Sequence, residues 1–252
     1  MEKLYDRADI YDLMNNPQKD AITKEHWRQV LEGKDVRTLL DVSIGSGNLT
    51  LPLGQLGIEL YGSDLSQAML DKCRKNSREQ GVSVDLRNCD FRHLTDRFFR
   101  QFDCVASTGN SLAYVTNAEV CDTLEQMDAL VKAGGYLYFD LRNWDKIRKN
   151  KERFYLYNPA FDGDTRINLM QVWDHLPDGT VDFNLLFTFE RDNRIVQKEH
   201  FVEHYHPVSL TLLLEKLASM GYQEIQTLLM PTQFGPFRPE ESDWYCVVAR
   251  KG

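Results

Sequence analysis

The sequence predicts an α/β fold: a mostly parallel sheet of seven strands, with an antiparallel β insertion and a cap of N-terminal helices. Three observations predict it. Short apolar runs alternate with amphipathic helical stretches through the first 141 residues. Those runs lack strict in-out alternation, as suits strands covered on both faces. The run at 37–42 breaks at Asp41 into Ser-Ile-Gly-Ser-Gly, a small turn in which Gly45 and Gly47 let backbone N–H groups approach a bound molecule.

Taken in order, residues 4–15 and 20–33 read as two amphipathic helices lying over the ligand, with Pro17 between them and Gly33 as a stop. Strand 37–42 leads through the glycine turn into a helix over 47–56, then strand 58–63, helix 66–80 ended by Gly81, and strand 83–88. The apolar run 102–106 opens into Ser-Thr-Gly-Asn-Ser at 107–111; helix 117–132, Gly134-Gly135 and strand 136–141 follow. From about 154 to 206 extended segments at 168–173, 181–189 and 195–205 are separated by the turn signals Pro177-Asp178-Gly179 and Asp192-Asn193. Their partial alternation suits an antiparallel sheet with one wet face. Helix 209–220, stopped by Gly221, and strands 222–229 and 243–250 complete the main sheet. The expected organisation is 1–153 for the N-terminal helices and ligand-binding core, 154–206 for an insertion capping a substrate, and 207–252 for the rest of the core.

Composition narrows the function classes. A chain of 252 residues holds one α/β domain with a modest insertion, and 42% hydrophobic and 11% aromatic residues suit a globular core. No stretch approaches the ~20 apolar residues that span a membrane, and the charged start is unlike a signal peptide, so no membrane partner and a cytoplasmic location are expected. A net charge of −8 opposes a nucleic-acid partner. The one basic cluster, 146–153, is interrupted by Asn150 and Glu152, carries no interleaved aromatics, and reads as a solvated loop or helix. Cys73, Cys89, Cys104, Cys121 and Cys246 form no Cys-x-x-Cys pair and read as free, mostly buried thiols. His200, His204 and His206 would share one face of a strand, but no acidic or cysteine ligand motif accompanies them and no metal is expected. A small molecule is the expected partner, and self-association into a homo-oligomer is compatible with the sequence.

The glycine turn is selective about its ligand. A dinucleotide fingerprint needs a third glycine where Thr50 stands, and no Gly-Lys-Ser/Thr follows to cradle a triphosphate, which leaves a cofactor without phosphate. Asp64 ends the second strand about 20 residues beyond the turn, where such folds grip a ribose diol. Asp90-Phe91 ends the third, offering a carboxylate to an adenine amino group and a ring to its face. Adenosine fits all three strand ends.

In this order Asp41-x-x-x-Gly45-x-Gly47, Asp64 and Asp90-Phe91 resemble the class I S-adenosylmethionine-dependent methyltransferases, which implies a Rossmann-like fold. The resemblance implies S-adenosylmethionine as cofactor, held by Tyr11, Ser43, Gly45, Gly47, Asp64, Leu65, Asp90, Phe91 and Thr108. Ser43 stands where many members have glycine; its small side chain still lets the methionine end approach.

The segments after the fourth and fifth strands, Gly109-Asn110-Ser111-Leu112-Ala113 and Asp-Leu-Arg-Asn-Trp-Asp at 140–145, are similar to those of glycine N-methyltransferase and its sarcosine and dimethylglycine relatives. Weaker likeness runs from the N-terminal Tyr-Asp-Arg-Ala-Asp-Ile-Tyr-Asp to Tyr205-His206-Pro207. In that family the arginine of Asp-x-Arg-Asn holds the amino-acid carboxylate, a role the resemblance implies for Arg142; a guanidinium fork matches a carboxylate bidentately. It also implies that Asn110 contacts the substrate amine and that Tyr205 reaches the substrate. Tyr114 stands where the glycine enzyme has histidine, a departure that bears on glycine as the acceptor. Tyr5, Tyr11, Tyr114, Tyr155 and Tyr205 are candidates to line the site.

The expected reaction is methyl transfer to the amine of an amino acid or similar carboxylate-bearing molecule. It is an in-line displacement that needs no strong base and gains up to roughly 7–11 kcal/mol from alignment in a dry pocket. The alternatives are O- or C-methylation of another small anionic metabolite, and a regulatory protein that binds the cofactor without turnover.

Overall fold

In the computed structural model, which describes Leu4, Arg7, Ile10, Leu13 and residues 17–252, strand β1 (Thr38–Asp41) is buried at all four positions and lies inside a sheet. It pairs in parallel with β2 (Glu59–Asp64) on one side and β4 (Phe102–Ser107) on the other. Beyond them lie β3 (Val84–Asn88) and β5 (Val131–Arg142), also parallel. A reversed strand, β12 (Trp244–Lys251), runs antiparallel to both β5 and β11 (Tyr222–Leu229), so the seven strands stand in the order β11-β12-β5-β4-β1-β2-β3. Order reverses between β1 and β4, which opens a crevice at the carboxyl ends of those strands.

Both faces of this sheet are covered, which explains the unbroken apolar runs. Leu39 packs in one core with Trp27 and Leu70, while its neighbour Leu40 points into the other with Val105 and Leu124. The covering helices are α1 (Pro17–Val30), α2 (Gln67–Gln80), α3 (Asn117–Ala129) and α5 (Leu210–Ser219), with the short α4 (Trp144–Asn150) after β5. Their starts are chemically marked: Ser66 and Ser209 cap α2 and α5, and Thr116 with Glu119 forms a capping box on α3.

A second, antiparallel sheet contains β6 (Phe154–Leu156), β7 (Ala160–Asp162), β8 (Thr165–His175), β9 (Val181–Arg191) and β10 (Arg194–Tyr205), in the order β10-β9-β8-β6 with β7 also on β8. Alternate residues such as Ile167, Trp173, Phe183 and Phe201 face inward and join the core that holds Leu141 and Trp144.

Several expected boundaries move. The helix expected over 47–56 is replaced by left-handed turns at Gly45 and Gly47 and a 3-10 helix over Leu51–Leu56, because Pro52 and Gly54 fall inside the stretch. Helix α3 stops at Ala129 rather than 132, and β5 begins at Val131, bulging between the Phe102–Val131 and Cys104–Tyr136 pairs, so Gly134-Gly135 lies within the strand instead of ahead of it. Helix α1 covers 17–30 rather than 20–33. The helix expected over 4–15, with Tyr5 and Tyr11, lies outside the described residues except at four positions. The basic cluster forms α4 and its C-terminal edge; Lys146 pairs with Asp243 and Glu152, Lys149 with Glu240, and Arg153 with Asp174. His200 and His204 bond Asn184 and Asp182 on the exposed face of the second sheet. Among the described residues no helix is long and apolar enough to cross a membrane.

Candidate active site

The crevice beside β1 is a cavity of about 460 Å³ whose wall includes Ser43, Asp64, Leu65, Asp90 and Phe91. Six of the expected site residues therefore share it, the sixth being Tyr114. Gly45, Gly47, Thr108, Asn110, Arg142 and Tyr205 stand outside that wall, and Tyr11 lies outside the described residues.

Asp64 joins the glycine turn to α2: Gly45 N donates to its Oδ2 at 2.9 Å and Ser66 N to its Oδ1 at 2.8 Å. The carboxylate keeps acceptor capacity for a diol hydroxyl beyond these backbone donors. Burial raises its pKa above the usual carboxylate value. Asp41, the last residue of β1, does not face the cavity. It is fully buried and accepts from Ser43 N at 3.0 Å, from Thr108 Oγ1 at 2.8 Å and from the Thr50 hydroxyl. Thr108 thus turns its hydroxyl inward and supports the site from beneath. Ser43 links the loops after β1 and β4, because Thr108 N donates to its Oγ at 3.0 Å; serine in place of glycine adds a cross-tie.

At the third strand end Asp90 receives Arg92 through Nε at 3.0 Å and Nη2 at 2.6 Å, and the same guanidinium donates Nη1 to Glu119 Oε1 at 2.6 Å. This pairing with Arg92 holds the Asp90 carboxyl below the usual range. Sequence reasoning missed Arg92 and Glu119, although both line the cavity. The spacing of one residue between Asp90 and Arg92 was a visible cue; Glu119 meets Arg92 only through the fold. Leu65, 69% exposed, and Phe91 present bare apolar surface to the same space, suited to a planar ring.

Ser111, Tyr114 and Glu203 line the cavity near the end of β4. The Tyr114 and Tyr205 hydroxyls meet at 2.7 Å, with Tyr205 the deeper of the two. Asn110 Oδ1 accepts from Arg142 N at 3.1 Å and Trp144 Nε1 at 2.9 Å. Its Nδ2 is buried without a partner among the described residues. Two N–H donors leave the amide no ambiguity of orientation, so what Asn110 has to offer a ligand is a donor. That suits an acceptor oxygen, in contrast to the amine contact the resemblance implied.

Arg142, 6% exposed, ends β5 inside an aromatic enclosure: its guanidinium carbon lies 4.7 Å from the Trp244 ring centre, 5.3 Å from those of Trp173 and Phe183, and 5.5 Å from that of Tyr155. Nη2 donates to Tyr157 Oη at 3.2 Å and Gln171 Oε1 at 3.4 Å. The nearby acids are engaged elsewhere, Asp140 with Gly109 N and Asp145 with Leu210 N, and no carboxylate forms an ion pair with Arg142 among the described residues. Ring faces and neutral oxygens offset only part of the cost of a buried cation.

A sheet with its switch point at a glycine turn, acids on the next two strand ends, and a bare apolar rim between them fits an adenosyl group bearing a ribose diol and no phosphate. The chain is a class I S-adenosylmethionine-dependent methyltransferase. A family model described as a methyltransferase domain matches residues 39–135. The glycine/sarcosine/dimethylglycine N-methyltransferase of Actinopolyspora halophila is 26% identical over 231 residues, which is 88% of this chain and 37% of that protein's length. The glycine/sarcosine N-methyltransferase of Aphanothece halophytica is 24% identical over 249 residues, 95% of this chain and 86% of its own. The ubiquinone biosynthesis O-methyltransferase of Pseudomonas paraeruginosa is 26% identical over 208 residues, 80% of this chain and 82% of its own. Among solved structures, an S-adenosylmethionine-dependent methyltransferase from Clostridium acetobutylicum superposes with a TM-score of 0.76 over 98% of both chains at 18% identity.

Proposed function

We propose that this enzyme methylates the amine of an amino acid or a similar small acceptor bearing a carboxylate. The observation that carries the proposal is Arg142, a buried guanidinium held by neutral groups and aromatic rings with no carboxylate of the described chain against it. An acceptor carboxylate supplies the missing charge and is gripped by a planar fork, while Asn110 Nδ2 stands ready as a further donor. In the cavity that Tyr114 also lines, Asp64 would hold the ribose, Phe91, Leu65 and Asp90 the adenine, and Ser43 the methionine end. Bound S-adenosylmethionine supplies an electrophilic methyl group on a sulfonium sulfur. The enclosing rings of the second sheet keep water from the acceptor and fix its approach.

The similarity to an O-methyltransferase favours a second reading in which a hydroxyl of an anionic acceptor is the nucleophile. Incubation with labelled cofactor and a panel of glycine, sarcosine, dimethylglycine and hydroxy acids separates the two. Amines should be labelled. In Arg142→Leu, KM for the carboxylate acceptor should rise about 10- to 100-fold with affinity for S-adenosylhomocysteine unchanged. Label on hydroxy acids alone would move the assignment to oxygen, and an unaltered KM would remove Arg142 from the site.

A further inference from the structure

An amino acid arrives as a zwitterion, and its ammonium proton must leave before nitrogen has a lone pair to attack with. We propose that Glu203 binds the ammonium group of the acceptor and takes its proton; this rests on the amino-acid acceptor proposed above. Glu203 lies on β10, where residues 201, 203 and 205 are buried on one face. It is 5% exposed and lines the cofactor cavity together with Ser111 and Tyr114. Sequence reasoning passed over it.

Placement distinguishes Glu203 from the other acids of the wall. Among the described lining residues, Asp64 and Asp90 stand at the ends of β2 and β3, and Glu119 pairs with Arg92 at that same adenosine end. Glu203 instead comes from the second sheet, one inward position before Tyr205. The Tyr205 hydroxyl touches that of Tyr114 at 2.7 Å and lies in the electrostatic fields of both Glu203 and Arg142. A carboxylate from one sheet and a guanidinium from the other thus both act on Tyr205, a pair of opposite charges complementary to a zwitterion.

The step balances without a further reactant. The ammonium N–H bond breaks as its proton passes to a Glu203 carboxylate oxygen, leaving a lone pair on nitrogen. That pair forms the new N–C bond while the C–S electron pair stays with sulfur. Positive charge ends on the methylated nitrogen, and Glu203 releases its proton to solvent once the product leaves. A carboxylate suffices as base because burial disfavours both charged forms and narrows the gap between ammonium and carboxyl acidities.

Calorimetric titration of the protein loaded with S-adenosylhomocysteine tests this with three probes: glycine, glycolate, which lacks the ammonium, and methylamine, which lacks the carboxylate. Wild type should bind glycine at least tenfold more tightly than glycolate. In Glu203→Gln, glycine should weaken about tenfold or more while glycolate and S-adenosylhomocysteine are unchanged. The kcat/KM profile of the variant should shift to the pH at which the free ammonium deprotonates, and Glu203→Asp should restore part of both effects. Wild-type glycine affinity and an unshifted profile in Glu203→Gln would overturn the assignment, as would a wild type with no preference for glycine over glycolate. Methylamine binding that depends on Glu203, with no glycolate binding at all, would support Glu203 and count against Arg142 as a carboxylate site.

Discussion

Gln171 is the uncharged residue on which the proposed role of Arg142 turns. It is buried on β8, accepting from Arg142 Nη2 at 3.4 Å and Trp173 Nε1 at 3.0 Å and donating from Nε2 to Tyr157 Oη at 3.3 Å. A glutamate there would neutralise the guanidinium in place of the proposed acceptor carboxylate. In Gln171→Glu the KM for a carboxylate acceptor should therefore rise on the order of 10- to 100-fold while the glutamate is ionised, and recover at low pH when it is protonated. Measuring KM against pH beside affinity for S-adenosylhomocysteine checks this, and a pH-independent, wild-type KM would show that Gln171 only packs. Arg142 could be picked from the Asp-x-Arg-Asn wording. Gln171 could not, because in one strand a buried glutamine looks like any polar residue that alternates with apolar ones.

At the scale of elements, the glycine turn after β1 combines two different constraints. Gly47 has φ +88, and a Cβ there would sit 2.7 Å from Leu51 Cγ and Cδ1 and 2.9 Å from Cys73 Sγ. Gly57 has φ +82 but open space around it. Gly57→Ala should cost only the left-handed conformation, about 1–2 kcal/mol. Gly47→Ala should add overpacking of about 1–3 kcal/mol to that and weaken S-adenosylhomocysteine binding as the turn shifts. Urea denaturation of the two variants tests the difference; equal losses would mean that the Leu51–Cys73 contact yields freely. The turn itself was legible because glycines at fixed offsets from a strand end have few other uses. What followed it was not, since 47–56 has the apolar spacing of a helix, while Pro52 and Gly54 favour a tighter, shorter turn. The early start of β5 was hidden for another reason: Val131 joins the sheet to pair with Phe102, a demand made by the neighbouring strand.

Across the whole molecule, stability is tied to pH by groups buried under the loop after β4. Asp140 receives Gly109 N at 2.8 Å, and Asp41 receives the Thr108 hydroxyl at 2.8 Å, so two carboxylates fasten the two sides of one loop. Burial, with repulsion from Asp64, pushes Asp41 up to about 6, and burial, with repulsion from Asp41, pushes Asp140 up to about 7. Around Asp140 stand Tyr138 on its own strand, Asp41 on β1, Cys246 on β12 and, through Tyr138, His26 on α1. Thr232 N donates to His26 Nδ1, so Nε2 carries the proton toward Tyr138; burial lowers this imidazole to about 4. From about pH 4 to 6 the folded state holds two aspartate protons that the unfolded chain releases, and lacks one histidine proton that the unfolded chain holds. The net excess is one proton on the folded state, so stability falls as pH rises, by up to about 1.4 kcal/mol per unit. Near pH 6 to 6.5 Asp140 and His26 cancel, and from there to about 7 Asp140 again lowers stability. Asp64, also raised, acts in the same direction. Urea denaturation at pH 5, 6 and 7.5 should show this decline, and Asp140→Asn should flatten most of it. A variant as pH-dependent as wild type would show that Asp140 does not titrate in this window.

The cofactor end was readable in the amino-acid sequence because its chemistry is local: the acids at the ends of the second and third strands, Asp64 and Asp90, face the cavity, and a glycine turn or an acid keeps its meaning wherever the strand is placed. Strand succession likewise implied the parallel sheet. The proposed acceptor end was decided only by tertiary structure. Arg142 on β5, Gln171 on β8 and Trp244 on β12 come together across two sheets, and Glu203 on β10 reaches the cavity wall from the second sheet. Such meetings depend on strand register and on how one sheet packs against the other, and neither is written in the periodicity of any single segment.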